Sequence, residues 1–275
     1  MSDWPKPSDV SSSSKGYDTP EGFYPRVTSI LKVVGTGTEG LIRWAADLER
    51  SAVLEAAGQV FDETHHETDR ETFLSRLQAL VGPARQHQKK LDRAADIGSS
   101  IHDMIRWTLM TELGENPGPR PKMGEEASWA FMAWKAWWAG AHLTPVRVEQ
   151  PVWHSELGYA GTVDLIARND KGVLEVWDWK SGKGIYDTYH LQVVAYASAA
   201  SRFAGEDVVP GGIVRVPKVV GDPDVQVKMA GDLTYDYKDR SGVQHKGGRV
   251  VHHKELWRGF DCAMYLYNLL MKESR

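Results

Sequence analysis

The chain has 275 residues, 41% hydrophobic and 25% charged, with a formal net charge of −4 and an isoelectric point near 6.2. That length carries one large domain, or one domain with an added helical lobe. The lone cysteine, Cys262, excludes a disulfide framework, a zinc set and a cysteine-ligated iron–sulfur cluster, and suits a reducing, cytoplasmic setting. Bulk charge does not advertise a polyanion binder, so any contact with nucleic acid must come from a local basic track.

Residues 1–22, rich in Ser, Pro, Lys and Asp, hold no apolar run; they are no signal peptide and are expected to form a disordered tail. No later segment approaches the roughly 20 apolar residues of a membrane span. From Tyr24 to about Trp138 the pattern is helical. Thr28 is positioned to cap a short helix, Ser29 to Val34, and Gly35-Thr36-Gly37-Thr38 breaks the chain before a longer helix to about Ala57, with Leu41, Trp44, Ala45 and Leu48 as its stripe. The next helix, near 69–81, carries Phe73, Leu77 and Leu80, and the His65-His66 pair before it reads as solvated. A basic run from Arg85 to Arg93 is either a solvated face or a seat for phosphates. It precedes a helix containing Gly98-Ser-Ser-Ile-His102. Gly114 to Pro121 is a loop, followed by a helix crowded with Trp129, Trp134, Trp137 and Trp138, mostly core, with one or two rings free to stack on bases.

Three strands follow, at about 145–154, 159–168 and 173–180, antiparallel by their short connections. In the third, alternation puts Leu174, Val176, Asp178 and Lys180 on one face and Val173, Glu175, Trp177 and Trp179 on the other. Both faces are largely apolar, so Asp178 and Lys180 need partners. If Asp170-Lys171-Gly172 forms a three-residue loop with a bulge at Gly172, Asn169 pairs with Val173 and Asp164 falls opposite Asp178, roughly 5 Å away at Cβ. A divalent cation is the cheapest means of keeping two such carboxylates ionised, and oxygen ligands favour Mg2+ or Mn2+ over zinc. Lys180, one step along, is placed to orient and help deprotonate an attacking water or to neutralise charge on a pentacovalent phosphate. Glu149, on the strand entering the core, is either a further metal ligand or the partner of a nearby base.

Ser181-Gly182-Lys183-Gly184 lacks the first Gly and the Ser/Thr of a phosphate loop, so no nucleotide cofactor is expected, although Lys183 suits contact with a phosphate. A helix from about Thr188 to Phe203 leads to a strand near 211–217 beside these three. The Gly221-Asp222-Pro223-Asp224 turn then enters another strand, VQVKM. The polar stretch from Leu233 to Gly248 is either a short strand or a mobile loop. Val250 to Met271 closes the domain as an amphipathic helix with Leu256, Phe260, Met264, Tyr267 and Leu270 inward, and Arg249, His252, His253, Lys254 and Arg258 near its start line a DNA channel or lie on the surface.

Gly161-Thr-Val-Asp164, Asp178-Trp-Lys180, Gln192-Val-Val-Ala-Tyr196 and Gly98-x-x-x-His102 occur in an order and spacing that resemble the PD-(D/E)XK nuclease superfamily, in the branch of RecB and the phage exonucleases. Val163 stands where the superfamily name has proline. The resemblance implies an α/β, restriction-endonuclease-like fold, a central mixed sheet flanked by helices with a helical N-terminal lobe. Residues 23–275 would form one nuclease domain, helical over about 23–141 and sheet-based over about 142–275. It implies Asp164, Asp178, His102 and the Trp179 backbone carbonyl as metal ligands, with Glu149 as a candidate addition, for one or two Mg2+ or Mn2+ ions. Lys180 would be the catalytic lysine, and Gln192 and Tyr196 would contact the DNA backbone or brace the catalytic strand. The activity implied is metal-dependent DNA hydrolysis, exonucleolytic, in phage or bacterial recombination, repair or degradation, within a bacterial or phage-infected cytoplasm. A single-strand annealing protein or helicase would be a partner and a membrane would not. Polarity, strandedness of the substrate and oligomeric state stay open. The alternatives on the same residues are a structure-specific endonuclease and a non-catalytic DNA-binding accessory protein of recombination.

Overall fold

The computed structural model describes residues 4–35, 38–63, 69–82, 85–222, 224–230, 233–238 and 244–272; Thr36-Gly37 and His65-His66 lie outside these, as does any account of the Arg249 side chain. Two compact units emerge, Gly35–Ile97 and a larger one that joins Met1–Val34 to Gly98–Arg275.

The larger unit begins where a disordered tail is expected, and here the structure differs. Short strands β1 (Ser11–Ser12), β2 (Gly16–Thr19) and β3 (Gly22–Pro25) form an antiparallel sheet. Tyr17 is buried against Trp153 and Ala160, and its hydroxyl lies 3.1 Å from Thr162 Oγ1, with the Arg26 guanidinium over its ring. Upstream, Gln150 donates to the Pro5 carbonyl at 2.8 Å. A polar average hid these few anchors, because one large ring buries as much surface as several small apolar residues. Next, α1 (Val27–Leu31) starts a residue before Thr28, which therefore does not cap it; burial of Val27, Ile30 and Leu31 along one stripe sets the helix start.

The smaller unit is helical. In it, α2 (Thr38–Glu63) runs past Ala57, since Ala56 and Val60 continue a buried stripe that outweighs the roughly 1 kcal/mol cost of Gly58. Asp69 caps α3 (Arg70–Val81) by accepting the Glu71 and Thr72 N–H groups. Glu49 accepts from both the backbone and the ring of His87, tying α2 to the start of α4 (Gln86–Glu112). The basic run from Arg85 to Arg93 is thus continuous with the His102 helix rather than a separate element before it.

The rest of α4 and α5 (Glu125–Trp138) belong with the main sheet in the larger unit. Its strands are β4 (Thr144–His154), β5 (Tyr159–Arg168), β6 (Leu174–Lys180), β7 (Val208–Arg215) and β8 (Gln226–Met229), in that spatial order. Neighbours are antiparallel except β6 and β7, which run parallel because α6 (Asp187–Ala204) carries the chain back between them. The polar stretch that follows forms a hairpin, β9 (Leu233–Lys238) with β10 (Gln244–Val251). β10 takes up Val250 and Val251, so α7 begins later than expected and spans His253–Lys272.

One face of the sheet packs on α6. Leu174, Val176 and Ile213 meet Val193, Ala197 and Ala200 there, with Phe260 and Met264 of α7 and Ile30 of α1 completing the core. The other face meets the tryptophans of α5. Trp134 is fully buried, and Trp137 lies 5.8 Å from Trp177 and 5.9 Å from Trp179 between ring centroids, while Trp129 is the more exposed ring. The tryptophans of β6 therefore turn to α5 and leave Asp178 and Lys180 facing α6. Among the described residues no helix is long and apolar enough to cross a membrane.

If Tyr17 anchors the N-terminal strands, Tyr17→Ala lowers stability by about 3 kcal/mol in urea unfolding. A disordered tail would show no change.

Candidate active site

The site starts at the β5–β6 hairpin. Gly172 takes a φ of 78°, and the Asn169 N–H donates to the Val173 carbonyl at 3.1 Å. The register then runs Arg168 with Leu174 to Leu165 with Trp177, which makes Asp164 and Asp178 the next opposed pair. The ladder stops there. Instead of a backbone carbonyl, the Asp164 carboxylate takes the Trp179 N–H, at 2.8 Å.

On the other flank of β5, the pairs Val148 with Leu165 and Gln150 with Val163 bracket Glu149, placing it opposite Asp164. Glu149 has a φ of 49°, one of two positive values at non-glycine positions among the described residues. Such a conformation costs of order 1–3 kcal/mol and persists only where its surroundings enforce it. Three acids thus lie across three adjacent strands. From α4, His102 Nδ1 comes to 3.9 Å from Asp164 Oδ2. Ligand atoms of His102, Glu149 and Asp164 all lie within 4.8 Å of one another.

Lys180 Nζ is 2.6 Å from Asp178 Oδ2 and donates to Gln192 Oε1 at 3.2 Å. Gln192 Nε2 in turn donates to the Tyr196 hydroxyl at 3.1 Å. Both Gln192 and Tyr196 are buried, so of the two roles suggested for them their placement suits bracing rather than contact with DNA. A side chain at position 161 would run into the Tyr196 ring, which accounts for the glycine that opens the Gly161–Asp164 motif. Lys183 is exposed on the loop after β6. At the start of α7, His253, Lys254 and Arg258 line a different cavity of about 430 Å3, together with Ser198 and Trp257.

Sequence reasoning missed three residues. The Tyr189 ring lies under the Lys180 ammonium, 4.7 Å from centroid to Nζ. Its signal was its position three residues before Gln192, on the same helix face. Asp103 and Arg106, which follow His102 on α4, act on the charge of Glu149 in opposite senses.

Burial, and then the Asp164 carboxylate, push the Glu149 carboxyl up to about 8; Asp103 and Asp178 add to the effect and Arg106 opposes it. Burial also raises Asp178 to about 6, held back by the Lys180 ammonium and helped by Asp164. For Lys180, burial favours the neutral form, but Asp178 and Asp164 outweigh it and leave its pKa above the ordinary value. One imidazole among crowded carboxylates that resist joint ionisation is a donor set fitted to a divalent cation.

Glu149 and Asp178 hold their protons in the folded chain to higher pH than in the unfolded one. The folded state therefore binds more protons between about pH 4 and 8, and stability falls as pH rises through that window. The metal-free protein is expected to lose melting temperature from pH 5 to pH 8, and Glu149→Gln to raise it at pH 8 while flattening the profile. Equal pH profiles for the two proteins in scanning calorimetry would contradict this.

No curated protein sequence matches the chain. Residues 63–266, well over half of it, match the sequence profile of the PD-(D/E)XK nuclease superfamily. That span covers the His102 helix, the three acidic strands, Lys180 and α6, and the chain belongs to the PD-(D/E)XK nuclease superfamily.

Proposed function

We propose that the protein is a Mg2+- or Mn2+-dependent DNA exonuclease of the RecB-like and phage-exonuclease branch, acting in phage or bacterial recombination, repair or DNA degradation. The observation that carries the nuclease reading is the buried Asp178–Lys180 pair beside Asp164, with His102 and Glu149 converging on the same carboxylate. The helical motifs around His102 and Gln192–Tyr196 are what support this branch and its exonucleolytic activity.

In this reading His102, Glu149, Asp164, Asp178 and the Trp179 carbonyl hold one or two divalent ions, which supply Lewis-acid stabilisation of charge on the phosphate. Hydrolysis adds water across one P–O bond, and the chain's part is to position the water and balance the charge. An ammonium has three donors. Gln192 accepts one from Lys180 and the Asp178 carboxylate balances its charge, and a remaining donor is for the attacking water or a phosphate oxygen. Tyr196 holds Gln192, and Gln192 holds Lys180, so α6 sets the direction of that donor. Exposed Lys183, three residues on, is placed for a phosphate along the strand.

End-labelled linear DNA and covalently closed circular DNA, each with Mg2+, Mn2+ or EDTA, test the reading. Metal-dependent loss of the linear form alone is expected, with Lys180→Ala slower by about 100-fold or more. Cleavage of the closed circle would make the enzyme an endonuclease. No metal-dependent cleavage of either form, or an equally active variant, would contradict catalysis at this site.

A further inference from the structure

Gly98 lies one turn before His102 on α4, so the two positions share a face of the helix. A methyl group at position 98 would sit 2.7 Å from Ser181 Oγ and 3.3 Å from Lys218 Nζ. Ser181 directly follows Lys180. Lys218 lies just beyond β7, the parallel neighbour of β6, and between them the Val216 N–H donates to the Lys180 carbonyl at 2.8 Å. Chain leaving the ends of two adjacent parallel strands thus delivers a hydroxyl and an ammonium to the wall of the site that carries His102.

Both groups can donate, and the non-bridging oxygens of a phosphodiester only accept. Four residues of helical rise, about 6 Å, separate the Gly98 and His102 positions along α4, comparable with the step between nucleotides in a strand. Lys218 is half-buried, and burial holds its pKa below that of an ordinary lysine, against the Glu126 carboxylate. A partly desolvated cation attracts an anion more strongly than a solvated one.

We propose that Lys218 and Ser181, seated over the bare backbone of Gly98, bind a non-bridging oxygen of a DNA phosphate next to the scissile one. The assignment rests on the nuclease reading above. Gly98 then serves the site by leaving space, and Lys218 is a substrate-positioning residue that none of the sequence motifs contains.

The test compares wild type with Lys218→Met, Lys218→Arg and Gly98→Ala on duplex DNA and on bis(p-nitrophenyl) phosphate, which has no neighbouring phosphate. Lys218→Met is expected to lower kcat/KM on DNA by about 10- to 100-fold, the loss of one charge-assisted hydrogen bond. Lys218→Arg should recover most of it, and the small substrate should be hydrolysed at the wild-type rate by both. Gly98→Ala, which displaces only flexible side-chain ends, should follow Lys218→Met on DNA. A neutral methylphosphonate at one flanking phosphate should slow the wild type and leave Lys218→Met no slower than before. The proposal is overturned if Lys218→Met cuts DNA normally, if it loses the small substrate equally, or if its loss multiplies with the methylphosphonate's at every flanking position. If wild type cleaves neither substrate with metal, the nuclease reading itself fails and this assignment goes with it.

Discussion

Asp178 and Lys180 stand on a central strand, withdrawn from water by α6 on their own face, and neither charge is tolerable there alone. Removing one partner of a buried pair costs roughly 3–5 kcal/mol, because the other charge is left unpaired. Much of the surrounding structure reads as support for this pair. The tryptophans of α5 cover the opposite face of β6 and fix which way its even-numbered side chains turn. Gln192 and Tyr196 orient the ammonium from α6, and Gly161 lets the Tyr196 ring approach β5.

Around that pair the protein gathers more negative charge than it can stabilise by itself. Glu149, Asp164 and Asp178 occupy three neighbouring strands, and Glu149 does so in a strained backbone conformation. A cluster arranged against its own electrostatics is poised for a cation, and so is the raised pKa of its most crowded member. The modest negative charge of the chain as a whole is no obstacle, since what matters for a polyanionic substrate is the local balance of acids and lysines at the site.

Much of this was legible in the sequence because it depends on local rules. Strand alternation placed Asp178 beside Lys180, and the length of the Asn169–Val173 turn placed Asp164 opposite Asp178. A strand after α6 was legible from helical and strand periods, and its parallel pairing with β6 is the structure's addition. What was not legible depends on distant contacts. Tyr17 sits in a polar stretch, and only the strands it packs on reveal it as core. The positive φ at Glu149 and the approach of Lys218 to Gly98 arise from tertiary packing that no spacing encodes.

With this geometry these acids and His102 would form one divalent-metal centre beside Lys180. A crystal grown with Mn2+ and measured at the manganese absorption edge tests it most directly. An anomalous peak in contact with His102, Glu149 and Asp164 is expected, lost in Asp164→Asn. A peak elsewhere, or none at millimolar Mn2+ in a well-ordered crystal, would contradict it.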